Sequence, residues 1–121
     1  MAKKILVAED NSDSLIILQN ILTSAGYKVE AISAGYNIVE NRLDLPDLFI
    51  LDKNMPTIDG LALCKYLRLK PETNKIPIIL ISGNQDLEVK AKEAGANEFL
   101  SKPFSVTQLL MLISKQLNAT A

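Results

Sequence analysis

Uninterrupted apolar runs, Ile5-Leu6-Val7-Ala8, Leu48-Phe49-Ile50-Leu51 and the stretch 77–82, alternate along the chain with segments of helical periodicity. A strand that is apolar at every position has no face to offer water. Such strands belong to parallel sheets covered by helices on both sides. The pattern predicts strands near 4–8, 28–32, 47–51, 77–82 and 97–101, and helices near 13–25, 36–42, 59–69, 86–94 and 105–117. Five βα units imply an α/β domain with one parallel sheet.

Lys28-Val29-Glu30-Ala31-Ile32 alternates and Asn97-Glu98-Phe99-Leu100 is short and half polar, so the second and fifth strands are expected at the edges. With right-handed crossovers, the remaining order is 2-1-3-4-5, the flavodoxin-like (βα)5 three-layer sandwich. Inward stripes are expected on the first helix at Leu15, Leu18, Leu22 and Ala25, and on the last at Val106, Leu110, Ile113 and Leu117. Met111 and Leu112 lie off that last stripe. Gly26 and Gly95 follow helices where a left-handed residue is expected, and Pro46 and Pro77 precede strands, where they remove no ladder bond.

The chain has 121 residues, the size of one domain, and the expectation is a single domain over 1–121 with no output domain after the last helix. A formal net charge of −1 favours neither nucleic acid nor an anionic membrane. No apolar run approaches the ~20 residues of a membrane span. One cysteine excludes an internal disulfide, and Cys64, set among Leu61, Leu63 and Leu67, reads as a small buried apolar residue. With no secretory signal either, a cytoplasmic protein is expected, as a monomer or weak dimer. The sequence holds no histidine, which removes Ser-His and Cys-His catalysis and the usual zinc sites.

The chemistry gathers at the strand ends. Glu9 and Asp10, Asp52, Ser82 and Lys102 each stand at or just past the carboxyl end of a predicted strand, the edge where open α/β sheets place their ligands. Converging carboxylates repel one another unless a cation neutralises them, and an all-oxygen ligand set suits Mg²⁺. Lys102 is no ligand for a cation, but it can pair with a phosphate oxygen, and the Ser82 hydroxyl can bond another. Singly, each residue has a plainer reading. Asp10 with Asn11, Ser12 and Asp13 are all helix-capping types, Asp52 and Ser82-Gly83 suit turns, and Lys102 suits a solvated surface.

Over essentially its full length the chain resembles the receiver domains of two-component response regulators. The resemblance rests on Ile5-Leu6-Val7-Ala8-Glu9-Asp10-Asn11, Leu51-Asp52-Lys53-Asn54-Met55-Pro56-Thr57-Ile58-Asp59-Gly60, Ile81-Ser82-Gly83-Asn84 and Ala94-Gly95-Ala96-Asn97-Glu98-Phe99-Leu100-Ser101-Lys102-Pro103-Phe104. It implies that Asp52 accepts a phosphoryl group from the phosphohistidine of a sensor kinase or histidine phosphotransfer protein. Glu9, Asp10, Asp52 and the backbone carbonyl of Asn54 would hold Mg²⁺. It further implies that Lys102 and Ser82 contact the phosphoryl group and that Phe99 turns inward with Ser82. The surface of 86–94, 97–101 and 105–117 would then be remodelled for a downstream protein docking in trans. The Lys102-Pro103 bond would be cis.

Two other functions fit parts of the pattern. A Mg²⁺-dependent phosphohydrolase working through an aspartyl phosphate usually carries a second aspartate two residues after the nucleophile, and that position is Asn54. A flavodoxin-like cofactor binder needs a hydroxyl- and amide-rich loop after the first strand, where Glu9, Asp10 and Asp13 would repel a phosphate.

Overall fold

The computed structural model describes residues 2–33, 44–55 and 58–119. In chain order these form β1 (Lys4–Ala8), α1 (Ser12–Ser24), β2 (Lys28–Ile32), β3 (Leu48–Asp52), α2 (Gly60–Leu69), β4 (Ile78–Ser82), a 3₁₀ turn (Gln85–Leu87), α3 (Glu88–Ala94), β5 (Glu98–Ser101) and α4 (Val106–Ala119). The helix expected over 36–42, and Pro56 and Thr57, lie outside the described residues. The sheet is parallel and ordered β2-β1-β3-β4-β5. The flavodoxin-like winding is therefore as expected.

Alternation along each strand divides the core between two faces. Leu6, Phe49, Leu51, Ile78 and Leu80 pack toward Leu63, Cys64 and Leu67 of α2 and Ala91 and Ala94 of α3. Ile5, Val7, Leu48, Ile50, Ile79 and Ile81 pack toward Leu18 and Leu22 of α1 and Leu109, Ile113 and Leu117 of α4. Each fully buried Leu or Ile contributes about 1.5–3 kcal/mol, and this two-sided burial explains why the three central strands are apolar throughout. The edge strands carry charge instead. Lys4 of β1 pairs with Glu30 of β2 at 2.7 Å, and charged edges resist pairing with another chain.

Two stripes differ from expectation. Ala25 is exposed because α1 ends at Ser24, and half-buried Tyr27 packs on that face of the core instead. On α4 the inward residues are Leu109, Ile113 and Leu117, whereas Val106 is 48% exposed. Val106 opens the helix and borders a groove against α1 rather than the sheet. Met111 is exposed, while Leu112 packs partly against the core.

Gly26 and Gly95 terminate α1 and α3 at φ +96° and +108°, in the left-handed region. Gly60 matters for a different reason. A Cβ there would lie 2.5 Å from the Asp52 carbonyl oxygen and 2.8 Å from Leu80 Cδ1, so only glycine lets α2 begin this close to the end of β3. Gly60→Ala is expected to lower stability by about 2–3 kcal/mol through this overpacking, measured by urea unfolding.

Candidate functional site

The sheet order brings the ends of β1, β3, β4 and β5 to one edge. Glu9 follows β1 directly, its backbone N–H donating to Ile32 O at 3.1 Å, and its side chain is buried. Asp52 is the last residue of β3 and is also buried. Its Oδ1 accepts the Asn54 backbone N–H at 3.0 Å. The loop beyond is fixed by Gly60 N–H donating to Lys53 O at 3.0 Å and by Asp59, whose Oδ1 caps α2 through the Ala62 N–H at 2.9 Å. Lys53 turns away to Asp59 at 3.8 Å.

Lys102 arrives from β5. Its backbone N–H donates to Ser82 O at 2.8 Å, and the Lys102-Pro103 bond is cis. Its Nζ donates to Glu9 Oε1 at 2.9 Å and to Asp52 Oδ2 at 2.8 Å. One ammonium thus bridges two carboxylates from different strands.

Asp10 stands apart from this triad. It is exposed, and the helix-capping role open to it belongs to Asn11, whose Oδ1 accepts the Ser14 N–H at 2.9 Å. Among the described residues no group of three or more acids, cysteines or histidines gathers tightly enough to hold a metal. What is present is a pair of carboxylates bridged by the Lys102 ammonium, with Asn54 exposed beside Asp52.

The two carboxylates titrate in opposite senses. Burial raises the Glu9 pKa, and its hydrogen bond with Asp52 adds to the effect against the pull of Lys102. Burial would raise Asp52 as well, but hydrogen bonds with Glu9, Lys102 and the Asn54 N–H outweigh it and hold Asp52 below the usual range. Burial opposes the Lys102 charge, yet bonds to Asp52 and Glu9 raise its pKa. The Asp52 carboxyl is thus shifted toward its ionised form and that of Glu9 toward its protonated form. Cys64 takes no part: burial pushes its thiol to about 11.

Ser82 ends β4, buried, with Oγ accepting the Asn84 N–H at 3.1 Å. The Asn84 side chain caps the following turn through the Asp86 N–H at 2.9 Å. Phe99 is half buried and packs on the core face shared with Ala91 and Ala94. From Glu9 and Lys102 an apolar groove of about 460 Å³ runs between α1 and α4, lined by Ile17, Leu18, Ile21, Pro103, Phe104 and Val106.

Two polar side chains of consequence carry no local signal in the sequence. Arg68 donates to Gly95 O at 2.9 Å, Ile76 O at 2.8 Å and Asn97 Oδ1 at 2.8 Å, tying the end of α2 to the start of β5. Buried Glu98 accepts from Gln116 at 2.6 Å and pairs with Lys115 at 3.1 Å, tying β5 to α4. Glu98's polar place on an edge strand is a hint; its partners become apparent only in three dimensions.

Residues 5–114 match the model of the response regulator receiver domain. The chain belongs to that family. This receiver domain is 36% identical to the phosphate regulon transcriptional regulatory protein PhoB of Rhizobium meliloti (strain 1021), covering 97% of the chain and 53% of that relative, so it spans about half the relative's length. It is 30% identical to the chemotaxis protein CheY of Bacillus subtilis (strain 168), covering 98% of the chain and all of the relative. The receiver domain of sensor histidine kinase PA1611 from Pseudomonas aeruginosa PAO1 superposes with a TM-score of 0.89 at 26% identity, covering 98% of this chain and 99% of that one. That crystal structure holds a magnesium ion coordinated in its active site cleft. In this receiver domain no helix among the described residues is long and apolar enough to cross a membrane.

Removing Lys102 leaves two adjacent carboxylates without their cation. The lowered pKa of Asp52 means its pairing stabilises the fold above the ordinary carboxylate range and is lost as pH falls through its folded value; Lys102 stays charged throughout. The raised pKa of Glu9 works against this, because its ionisation costs stability as pH rises. Lys102→Ala is expected to cost about 1–3 kcal/mol at pH 7, below the full-burial figure because the lysine is partly exposed. The loss should shrink toward pH 4 as one carboxyl is protonated. Urea unfolding at the two pH values measures the difference.

Proposed function

We propose that this receiver domain accepts a phosphoryl group on Asp52 from the phosphohistidine of a sensor kinase or histidine phosphotransfer protein. Phosphorylation would then change the face of α3, β5 and α4 for a protein partner. The observation that carries this reading is the Lys102 ammonium held between Glu9 and Asp52 at 2.9 and 2.8 Å. A buried carboxyl shifted toward its ionised form can attack phosphorus, and the ammonium at its oxygen can neutralise charge on the group it receives.

The transfer is an in-line displacement. An Asp52 oxygen forms the new O–P bond as the P–N bond to the donor histidine breaks, and the imidazole leaves with the electron pair. Aspartate is a weak nucleophile, so the rate rests on positioning and on electrostatic stabilisation of the phosphoryl oxygens. The Asn54 N–H fixes Oδ1, Lys102 holds Oδ2, and the same ammonium can follow the charge onto the phosphoryl group. The groove between α1 and α4 gives the donor a surface on which to rest while its histidine faces Asp52.

Mg²⁺ fits these residues, because it takes one or two carboxylates and keeps several waters, and the seat between Glu9 and Asp52 already attracts a cation. Glu9, Asp10, Asp52 and the Asn54 carbonyl would hold it; when bound it would supply further charge neutralisation to the phosphoryl oxygens. The product is a mixed anhydride open to water. Asn54, exposed beside Asp52, can orient an attacking water, so self-dephosphorylation is part of the proposal.

The output rests on Ser82 and Phe99. Shifting a two-state equilibrium from 1:99 to 99:1 requires about 5.5 kcal/mol, and one hydrogen bond from Ser82 to a charged phosphoryl supplies ~1.5–3 kcal/mol. Lys102 and Phe99 must contribute the rest, or the shift is partial. Val89 and Met111, exposed on α3 and α4, supply apolar contact for the partner.

Two measurements test the reading. Incubation with acetyl phosphate and Mg²⁺ should add one phosphoryl mass, labile to hydroxylamine, and Asp52→Asn should not gain it; uptake by that variant at the wild-type rate overturns the assignment. Mg²⁺ alone should raise the melting temperature, as any ligand that binds only the folded state does. Asp10→Ala should lose most of that rise, and an undiminished rise would place the metal elsewhere.

A further inference from the structure

We propose that Ser101 is a second hydroxyl of the phosphorylation response, donating to Ser82 when Ser82 turns its own proton to the phosphoryl group. The inference rests on the reading of Asp52 as phosphoacceptor and adds a positioning residue that neither the motif nor the resemblance singles out. Ser82 and Ser101 are direct partners in the register of β4 and β5, two residues beyond the pair Leu80 and Phe99. Leu80 and Phe99 belong to the core face of α2 and α3. Because side chains alternate along a strand, Ser82 and Ser101 point to that same face, in line with the aromatic ring.

The Ser101 Oγ is shielded from solvent and is the one buried side-chain polar atom among the described residues that lacks a hydrogen-bond partner. An unpaired buried hydroxyl penalises whichever state contains it. The resting conformation carries that penalty, so any state that gives Ser101 a partner gains by comparison.

Ser82 has the capacity to be that partner. A serine hydroxyl offers one proton and two lone pairs. In the resting structure the Ser82 Oγ accepts the Asn84 N–H at 3.1 Å, which occupies one lone pair. With its proton given to a phosphoryl oxygen, the remaining lone pair can accept from Ser101 on the neighbouring strand, about 4.8 Å away backbone to backbone. The chain Ser101 to Ser82 to phosphoryl then satisfies every group in it, and each bond polarises the next. No covalent step is involved.

The test uses the phosphorylated 121-residue chain, with the Asp52 phosphoryl mass confirmed for each sample. The ratio of switched to resting conformers is read from amide chemical shifts across 86–112. Ser101→Ala should lower that ratio about tenfold, the equivalent of one hydrogen bond, and Ser101→Thr, which keeps the hydroxyl, should restore most of it. In a Ser82→Ala background Ser101→Ala should have little further effect, since the acceptor is gone. Unphosphorylated Ser101→Ala should melt at or above wild type, because it removes an unpaired buried hydroxyl; a fall of more than about 5 °C would mean that the hydroxyl has a resting partner and would overturn the proposal. So would a wild-type ratio in phosphorylated Ser101→Ala. If wild type itself gains no phosphoryl mass on Asp52, the phosphoacceptor reading fails instead.

Discussion

Two carboxylates buried side by side are tolerable in this fold because a single ammonium lies between them. Glu9 and Asp52 end neighbouring parallel strands, and Lys102 reaches both from the end of β5, 93 and 50 residues away in sequence. Take away the sheet order and the three never meet. The same bridge shifts the two acids apart: hydrogen bonds to Lys102, Glu9 and the Asn54 N–H lower the Asp52 pKa, whereas burial raises that of Glu9. The proposed phosphoacceptor role of Asp52 is consistent with a carboxyl shifted toward its ionised form.

Such a site works against stability, and the apolar core bears the load. Nothing at the carboxyl edge could be crowded this way if Ile5 to Ala8, Leu48 to Leu51 and Ile78 to Ile81 were not almost wholly buried on both faces. The loops of the site are then held mainly by backbone and capping bonds, in which Gly60 N–H donates to Lys53 O and Asp59, Asn11 and Asn84 accept from the Ala62, Ser14 and Asp86 N–H groups. At Asp52 the Asn54 N–H fixes one oxygen and the Lys102 ammonium the other.

The parts that two-sided burial dictates were legible in the sequence; the parts that depend on distant partners were not. The central strands announce themselves because nothing polar interrupts them, and the alternation of 28–32 marks an edge. α4 misled the periodicity because 109–113 is an unbroken apolar run, Leu-Leu-Met-Leu-Ile, which fits several helical phases equally well; only the position of the sheet selects Leu109 over Val106. Asp10 and Asn11 are both capping types, and geometry gave the cap to Asn11. Lys102 could be read as a phosphate ligand, but its resting hold on Glu9 and Asp52 could not, and Glu98 looked like an exposed edge acid until Lys115 and Gln116 came to cover it.

On the face proposed to respond, α3 is held by little apolar contact. α3 has seven residues and no side-chain cap of its own, continuing from the 3₁₀ turn that Asn84 caps. It buries only Ala91 and Ala94, small side chains that anchor it less than the leucines of α1 and α2 anchor theirs. Local opening is easiest where buried apolar contact is sparse. Polar side chains tie β5 to both helices: Glu98 to α4 through Lys115 and Gln116, and Lys92 of α3 to Asn97 O at 2.7 Å and to Glu98 at 3.9 Å. What separates the two helices is apolar anchoring, so under the proposed phosphorylation α3, which buries only two alanines, is the element expected to yield first.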